Sequence, residues 1–251
     1  MKNPYYPIDT VVEDVITETP TIKTFVLKPV RPIQFKAGQF MQLTVPGVGE
    51  APFTPSSDPN ITERMEISIL KTGKVTDTLH DSIGPGAKVG LRGPFGTHFP
   101  LDAMKGSNVL LIAGGLGLAP LRAPIFHVTE NLGEFEDVHI IYGAKRPVDL
   151  LFDYQYEQWR RIYDVELSII VEEPDPDWEG EVGLITKLLD GVRVDPDRTF
   201  AIVCGPPVMF KFVCNRLSDM GIPMQRMFVS LERRMHCGMG KCCRCNIGST
   251  Y

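Results

Sequence analysis

At 251 residues, with 43% hydrophobic residues, the chain is long enough for two domains of ordinary size, each with its own core. A formal net charge of −5 and the lack of any basic tract argue against nucleic acid as the main partner. No apolar run is long enough to cross a bilayer, the N-terminus lacks a signal-peptide layout, and four of the six cysteines crowd into residues 237–245. That crowding suits a metal or cluster site in a reducing compartment better than a disulfide framework, so a cytoplasmic protein is expected.

Runs at 10–16, 21–29, 39–45, 65–71 and 88–93 carry alternating or β-branched apolar residues, with Pro-Gly, Gly-Val-Gly and Ser-Ser-Asp-Pro turn signals between them. Regular short strands of this kind predict a small antiparallel β-barrel, interrupted by one helical stretch at 76–82. From Ser107 the texture changes. Residues 108–113 (NVLLIA) form a continuous apolar run, as a strand buried on both faces requires. A glycine loop and a helical stretch follow, then strand patterns at 137–143, 165–171 and 199–204, with helices near 150–161 and 208–220. Strands alternating with helices predict an α/β domain with a parallel sheet of the dinucleotide-binding type. The expected organisation is a barrel at 1–102, the α/β domain at 103–228 and a small cysteine-bearing unit at 229–251, with the first boundary within 98–106.

Several segments carry chemistry. Gly114-Gly115-Leu116-Gly117-Leu118-Ala119-Pro120 follows the first parallel strand, where glycines allow a pyrophosphate to approach the backbone and Pro120 suits a first helical turn. Helix–sheet packing alone would also want such a turn. Cys204-Gly205-Pro206-Pro207 ends another strand of the same sheet, at the edge where parallel sheets bind ligands. Its thiol is either close to a nicotinamide ring or a buried apolar cysteine at a sharp turn. In the barrel half, 51–57 combine Phe53 with Thr54, Ser56 and Ser57, and Gly73-Lys74-Val75-Thr76 opens the lone helix, whose free N–H groups can hold a phosphate. Gly93-Pro94-Phe95-Gly96 closes the last barrel strand; each of these also reads as a plain turn.

The cysteine spacing Cys237-x4-Cys242-x2-Cys245 is that of a plant-type [2Fe–2S] loop, with Gly238 and Gly240 bending the backbone and aiming N–H groups at sulfur. A structural zinc site from Cys237, Cys242, Cys245 and either His236 or Cys243 is the alternative, although zinc ligands usually come as two short-spaced pairs. His80, His98, His127 and His139 show no ligand spacing, and Trp159 and Trp178 read as packing or surface residues.

The order of these segments resembles the ferredoxin–NADP reductase superfamily over essentially the whole chain. The flavin signature is similar to Pro52-Phe53-Thr54-x-Ser56-Ser57, the phosphate turn to 73–76, the nucleotide loop to 114–120, and the nicotinamide-side motif to Cys204-Gly205-Pro206. With its cysteine loop, the chain resembles the branch holding dihydroorotate dehydrogenase B electron-transfer subunits and the gamma (diaphorase) subunits of NiFe hydrogenases and sulfhydrogenases. The small subunit of NADH-dependent ferredoxin:NADP oxidoreductase belongs to the same comparison. The resemblance implies FAD held by Pro52, Phe53, Thr54, Ser56 and Ser57, with Gly73, Lys74, Val75 and Thr76 at its pyrophosphate. It implies NAD(P)H at Gly114, Gly115, Gly117, Ala119, Pro120, Cys204, Gly205 and Pro206, and a [2Fe–2S] cluster on Cys237, Cys242 and Cys245. Electrons would pass between NAD(P)H and iron–sulfur partner subunits, with flavin converting between pairs and singles and no side chain acting as acid, base or nucleophile. Two departures stand out. Ala51 replaces the arginine that often opens the flavin signature, and the fourth cluster cysteine is expected just beyond Tyr251. Glu172 and Glu173, after the third parallel strand, favour NADH by repelling a 2′-phosphate, whereas Lys145 and Arg146 pull the other way.

Overall fold

The computed structural model describes residues 3–246, which fall into two compact units. The first comprises the described residues of Met1–His98 and Arg233–Tyr251; the second is Phe99–Glu232. The cysteine tail is therefore part of the first unit, where the sequence predicts a separate third one. The remaining difference concerns Met227–Ser230, which straddles the expected 228/229 boundary and pairs as a strand in the second unit.

The first unit is a six-stranded antiparallel sheet built from β1 (Ile8–Thr19), β2 (Ile22–Pro29), β3 (Phe40–Val45), β4 (Gly49–Phe53), β5 (Met65–Leu70) and β6 (Lys88–Phe95). Their order is β4-β3-β6-β1-β2-β5. The end strands approach each other, and the Ser56 N–H donates to the Glu66 carbonyl at 2.8 Å, so the chain leaving β4 meets β5 and curls the sheet into a barrel. Val12, Phe25, Leu27, Met41, Leu43, Ile67, Ile69 and Leu91 are fully or almost fully buried in it. Between β5 and β6 lies α1 (Lys74–Ser82), whose Leu79 is buried and whose His80 bonds the Ile69 carbonyl oxygen at 2.8 Å.

The second unit is a six-stranded, all-parallel sheet of β7 (Asn108–Gly114), β8 (Val138–Ala144), β9 (Val165–Val171), β10 (Glu181–Val182), β11 (Thr199–Cys204) and β12 (Met227–Ser230). Helices α2 (Leu118–Glu130), α3 (Asp153–Arg160), α4 (Thr186–Leu189) and α5 (Pro207–Asp219) connect them. β7, β8 and β11 bury nearly every residue, as strands covered on both faces must. The strand order β10-β9-β8-β7-β11-β12 is decisive for function. The chain steps outward from β7 through β8 and β9, then returns to lay β11 on the other side of β7. Connections therefore diverge between the carboxyl ends of β7 and β11, opening the crevice in which such sheets take ligands.

Candidate functional site

Gly114 ends β7 and Cys204 ends β11, in register one residue apart, so the glycine loop and the Cys-Gly-Pro-Pro turn flank that crevice. Gly115–Gly117 form a 3-10 turn leading into α2, where Ala119 and Pro120 occupy the first turn. The fit between the two turns is backbone on backbone. A Cβ on Gly117 would lie 2.1 Å from the Cys204 carbonyl oxygen and 2.8 Å from the Gly205 nitrogen. Cβ atoms on Gly114 and Gly205 would both strike the Met209 side chain, within 2.4 and 2.5 Å. Gly115, with φ +53, has nothing within 4 Å of its Cβ position, so its glycine serves conformation and an open approach to the loop. Cys204 itself is buried, its Sγ 3.9 Å from the Ser230 carbonyl oxygen, and burial pushes its thiol up to about 11. It is a neutral apolar group at neutral pH, with no nucleophilic role.

Beside these turns lies a cavity of about 290 Å³, lined by Gly114, Gly143, Lys145, Glu172, Ile185 and Pro206, among others. Its outer wall is the β10–α4 segment, absent from the sequence reading because a two-residue strand and a four-residue helix leave no periodic signal. The surrounding charges are already partly committed. Lys145 pairs with Glu173 at 3.4 Å and Arg146 with Asp149 at 3.0 Å. Glu172 lines the cavity.

In the first unit, Pro52 and Phe53 end β4, Thr54 is half-buried just beyond it, and Gly49 of the same strand lies against Val75 of α1. The flavin-signature segment and the 73–76 turn are thus neighbours. Gly73 caps α1 in an extended conformation and no side chain caps the helix, while Thr76 Oγ1 spans the turn, donating to the Gly73 carbonyl and accepting from the Thr72 N–H, each at 2.9 Å. Lys74 opens the helix on its exposed side. Ser56 is tied into the sheet. Its hydroxyl is completely buried and joins a chain through Ser68, at 3.0 Å, to Thr24. Ser57 differs: its buried Oγ has no hydrogen-bond partner among the described residues. A buried hydroxyl without a partner and, in the same unit, a helix N-terminus without a side-chain cap both fit a phosphate- and carbonyl-rich cofactor such as FAD.

The cysteine loop is shaped around Cys237. The Met239 N–H donates to its sulfur at 3.3 Å, and with the N–H groups of Cys242 and Lys241 it pulls that thiol down to about 6. Gly238 and Gly240, at φ +75 and +70, and Cys243, at φ +56, give the turns that aim these donors inward. A ready-made thiolate in a nest of N–H groups fits an iron–sulfur ligand. Among the described residues no three His, Cys, Asp or Glu side chains gather closely enough to hold a metal ion. The loop rests on the β3–β6 face: Gln42 Nε2 donates to the His236 carbonyl at 3.1 Å, and Gly238 packs on Phe95. Arg92, Gln42 and Glu50, which build that platform, escaped the sequence reading. A charged residue between Leu91 and Gly93 in an apolar strand was the available signal.

Comparison with known proteins agrees with both halves. Residues 10–99 match the oxidoreductase FAD-binding domain and residues 111–215 the oxidoreductase NAD-binding domain. The chain is 39% identical over 218 residues to the sulfhydrogenase 1 gamma subunit of Pyrococcus furiosus, covering 86% of this chain and 74% of that one. With the sulfhydrogenase 2 gamma subunit of the same organism it shares 36% identity, covering 99% and 91%. A probable dihydroorotate dehydrogenase B electron-transfer subunit of Methanocaldococcus jannaschii is 34% identical, covering 95% and 83%. Among solved structures, the Amycolatopsis cytochrome P450 reductase GcoB superposes with a TM-score of 0.79 at 22% identity, over 90% of this chain and 69% of that one, a likeness of fold.

Proposed function

The chain belongs to the FAD- and NAD-binding oxidoreductases of the ferredoxin–NADP reductase superfamily and is an electron-transfer subunit of a redox complex; from that premise we propose that it relays electrons between NADH and an iron–sulfur partner through FAD and a [2Fe–2S] cluster. When bound, the flavin exchanges a hydride with nicotinamide and single electrons with the cluster. The protein's own residues bind and orient. Gly114, Gly115 and Gly117 leave backbone open to the pyrophosphate, and Gly205 and Pro206 form the facing wall of the crevice. Phe53, Thr54 and the Ser57 hydroxyl would hold the flavin. The uncapped turn at 73–76 takes the FAD phosphates, and Lys74 replaces the cation that Ala51 lacks. Cys237, Cys242 and Cys245 would supply thiolates.

The observation that carries this reading is the membership of the cysteine loop in the same unit as the flavin segments. One unit would then hold both the flavin and the cluster ligands. NADH is favoured over NADPH because Glu172 faces the cavity while Lys145 and Arg146 are each paired with an acid. A sulfhydrogenase-type complex in the cytoplasm is the favoured setting, given the gamma-subunit identities. Flavin, iron, sulfide and zinc assayed on anaerobically purified protein test the cofactor set. FAD with iron and sulfide in equal amounts is expected; zinc in place of iron would overturn the cluster.

A further inference from the structure

Arg92 sits in the middle of β6, where burial normally selects an apolar side chain. Strand alternation turns it away from its buried neighbour Leu91, and it pairs in register with Gln42, itself turned away from Met41 and Leu43. Only 6% of Arg92 is exposed. Each of its three guanidinium nitrogens is engaged: Nε donates to Glu50 Oε1 at 2.8 Å, Nη2 to Glu50 Oε2 at 2.6 Å and Nη1 to the Pro4 carbonyl at 3.0 Å. It also lies over the Phe95 ring, 5.6 Å from its centroid.

This construction grips the backbone on both sides of Cys237. Before it, the His236 carbonyl accepts from Gln42, which is 1% exposed. After it, Gly238 is pressed onto the Phe95 ring that Arg92 covers; a Cβ there would lie 2.9 Å from Phe95 Cδ2 and 3.4 Å from Gln42 Cγ. Further along, Lys241 stands 5.8 Å from the Tyr5 ring centroid. Burying a guanidinium against a partly exposed counter-ion costs solvation free energy, and an apolar side chain would fill a sheet face as well or better. A fixed positive charge beside a redox ligand does something an apolar pair cannot: it favours the more negative, reduced form of whatever that ligand holds.

We infer that Arg92, locked by Glu50, is a positioning residue for the Cys237 ligand whose charge makes the cluster easier to reduce. The inference rests on the [2Fe–2S] reading of the loop. Its test is an EPR-monitored redox titration of the full chain with FAD and cluster bound, comparing wild type with Arg92→Met, Arg92→Lys and Glu50→Gln. At the wild-type midpoint, Arg92→Met is expected to move the oxidised-to-reduced ratio about tenfold toward oxidised, or 59 mV for one electron. Arg92→Lys, which keeps the charge, is expected to move it by less than half that shift, and Glu50→Gln in the opposite direction. Loosening of the platform alone would displace all three variants the same way, and that result overturns the inference. So does a cluster midpoint unchanged in every variant, or a flavin midpoint that shifts as far as the cluster's. If Arg92→Met fails to retain its cluster, the opposed directions of Arg92→Lys and Glu50→Gln decide. Wild-type protein without iron would instead remove the cluster reading itself, and the inference with it.

Discussion

Gly117→Ala is the sharpest single perturbation of the nucleotide site. Gly117 has φ −60 and ψ −16, a conformation alanine adopts freely, so backbone strain contributes nothing. The whole effect is steric. The new methyl would stand 2.1 Å from the Cys204 carbonyl oxygen and 2.5 Å from its carbon, and neither is a side chain that can swing aside. Reaching ordinary van der Waals contact requires the two turns to separate by roughly 1 Å, an overpacking cost of about 1–3 kcal/mol. Misplacement of that size at a binding crevice can cost about 100-fold in function. Gly115→Ala is the control: there is open space at its Cβ position, and φ +53 imposes only about 1–2 kcal/mol of backbone cost. NADH-dependent flavin reduction should fall by about two orders of magnitude in Gly117→Ala and far less in Gly115→Ala. Wild-type rates in Gly117→Ala would refute the backbone-to-backbone packing argument.

Three further outcomes follow from the site geometry. Ser57→Ala should weaken FAD retention up to roughly tenfold by removing one hydrogen bond, yet leave the flavin-free protein as stable as before, because that hydroxyl has no partner to lose; unchanged FAD affinity in equilibrium dialysis would contradict it. Glu172→Gln should raise the ratio of NADPH to NADH efficiency at least about tenfold, read as kcat/KM, and an unaltered ratio would place the ribose elsewhere. Glu50 is held below its ordinary value chiefly by the Arg92 hydrogen bond, so its stabilising contribution is present above the usual glutamate range and is lost as pH falls through the depressed value. Urea unfolding should therefore show Glu50→Gln less stable than wild type by about 1 kcal/mol at pH 7, solvent screening the exposed carboxylate, with the gap closing on acidification. A gap that stayed constant down to about pH 3 would exclude the ion pair as its source.

Much of this architecture is legible without coordinates because the two halves use different hydrophobic periods. The continuous runs at Asn108–Gly114 and Thr199–Cys204 could only be strands buried on both faces, and the glycine loop announces its junction. What escapes the eye is short or long-range. β4 reads Gly-Glu-Ala-Pro-Phe, a composition that suggests a turn, and becomes a strand only through its pairing with β3. β12 is four residues long and takes its place from β11. The tail's attachment depends on Gln42 reaching His236, 194 residues away in sequence, a contact no local pattern encodes. Ser56 and Ser57 are adjacent hydroxyls with opposite fates, one bonded within the core and one orphaned, and only packing separates them.

An anaerobic titration of the purified chain with NADH, followed together by visible absorbance and EPR, tests the central claim most directly. The account predicts that the flavin bands bleach and that a reduced [2Fe–2S] signal grows in the same titration, because the two-electron donor can reach the one-electron centre only through the flavin. Bleached flavin beside an oxidised cluster that dithionite alone reduces would contradict the relay. A chain that carries no flavin would contradict the account at its root.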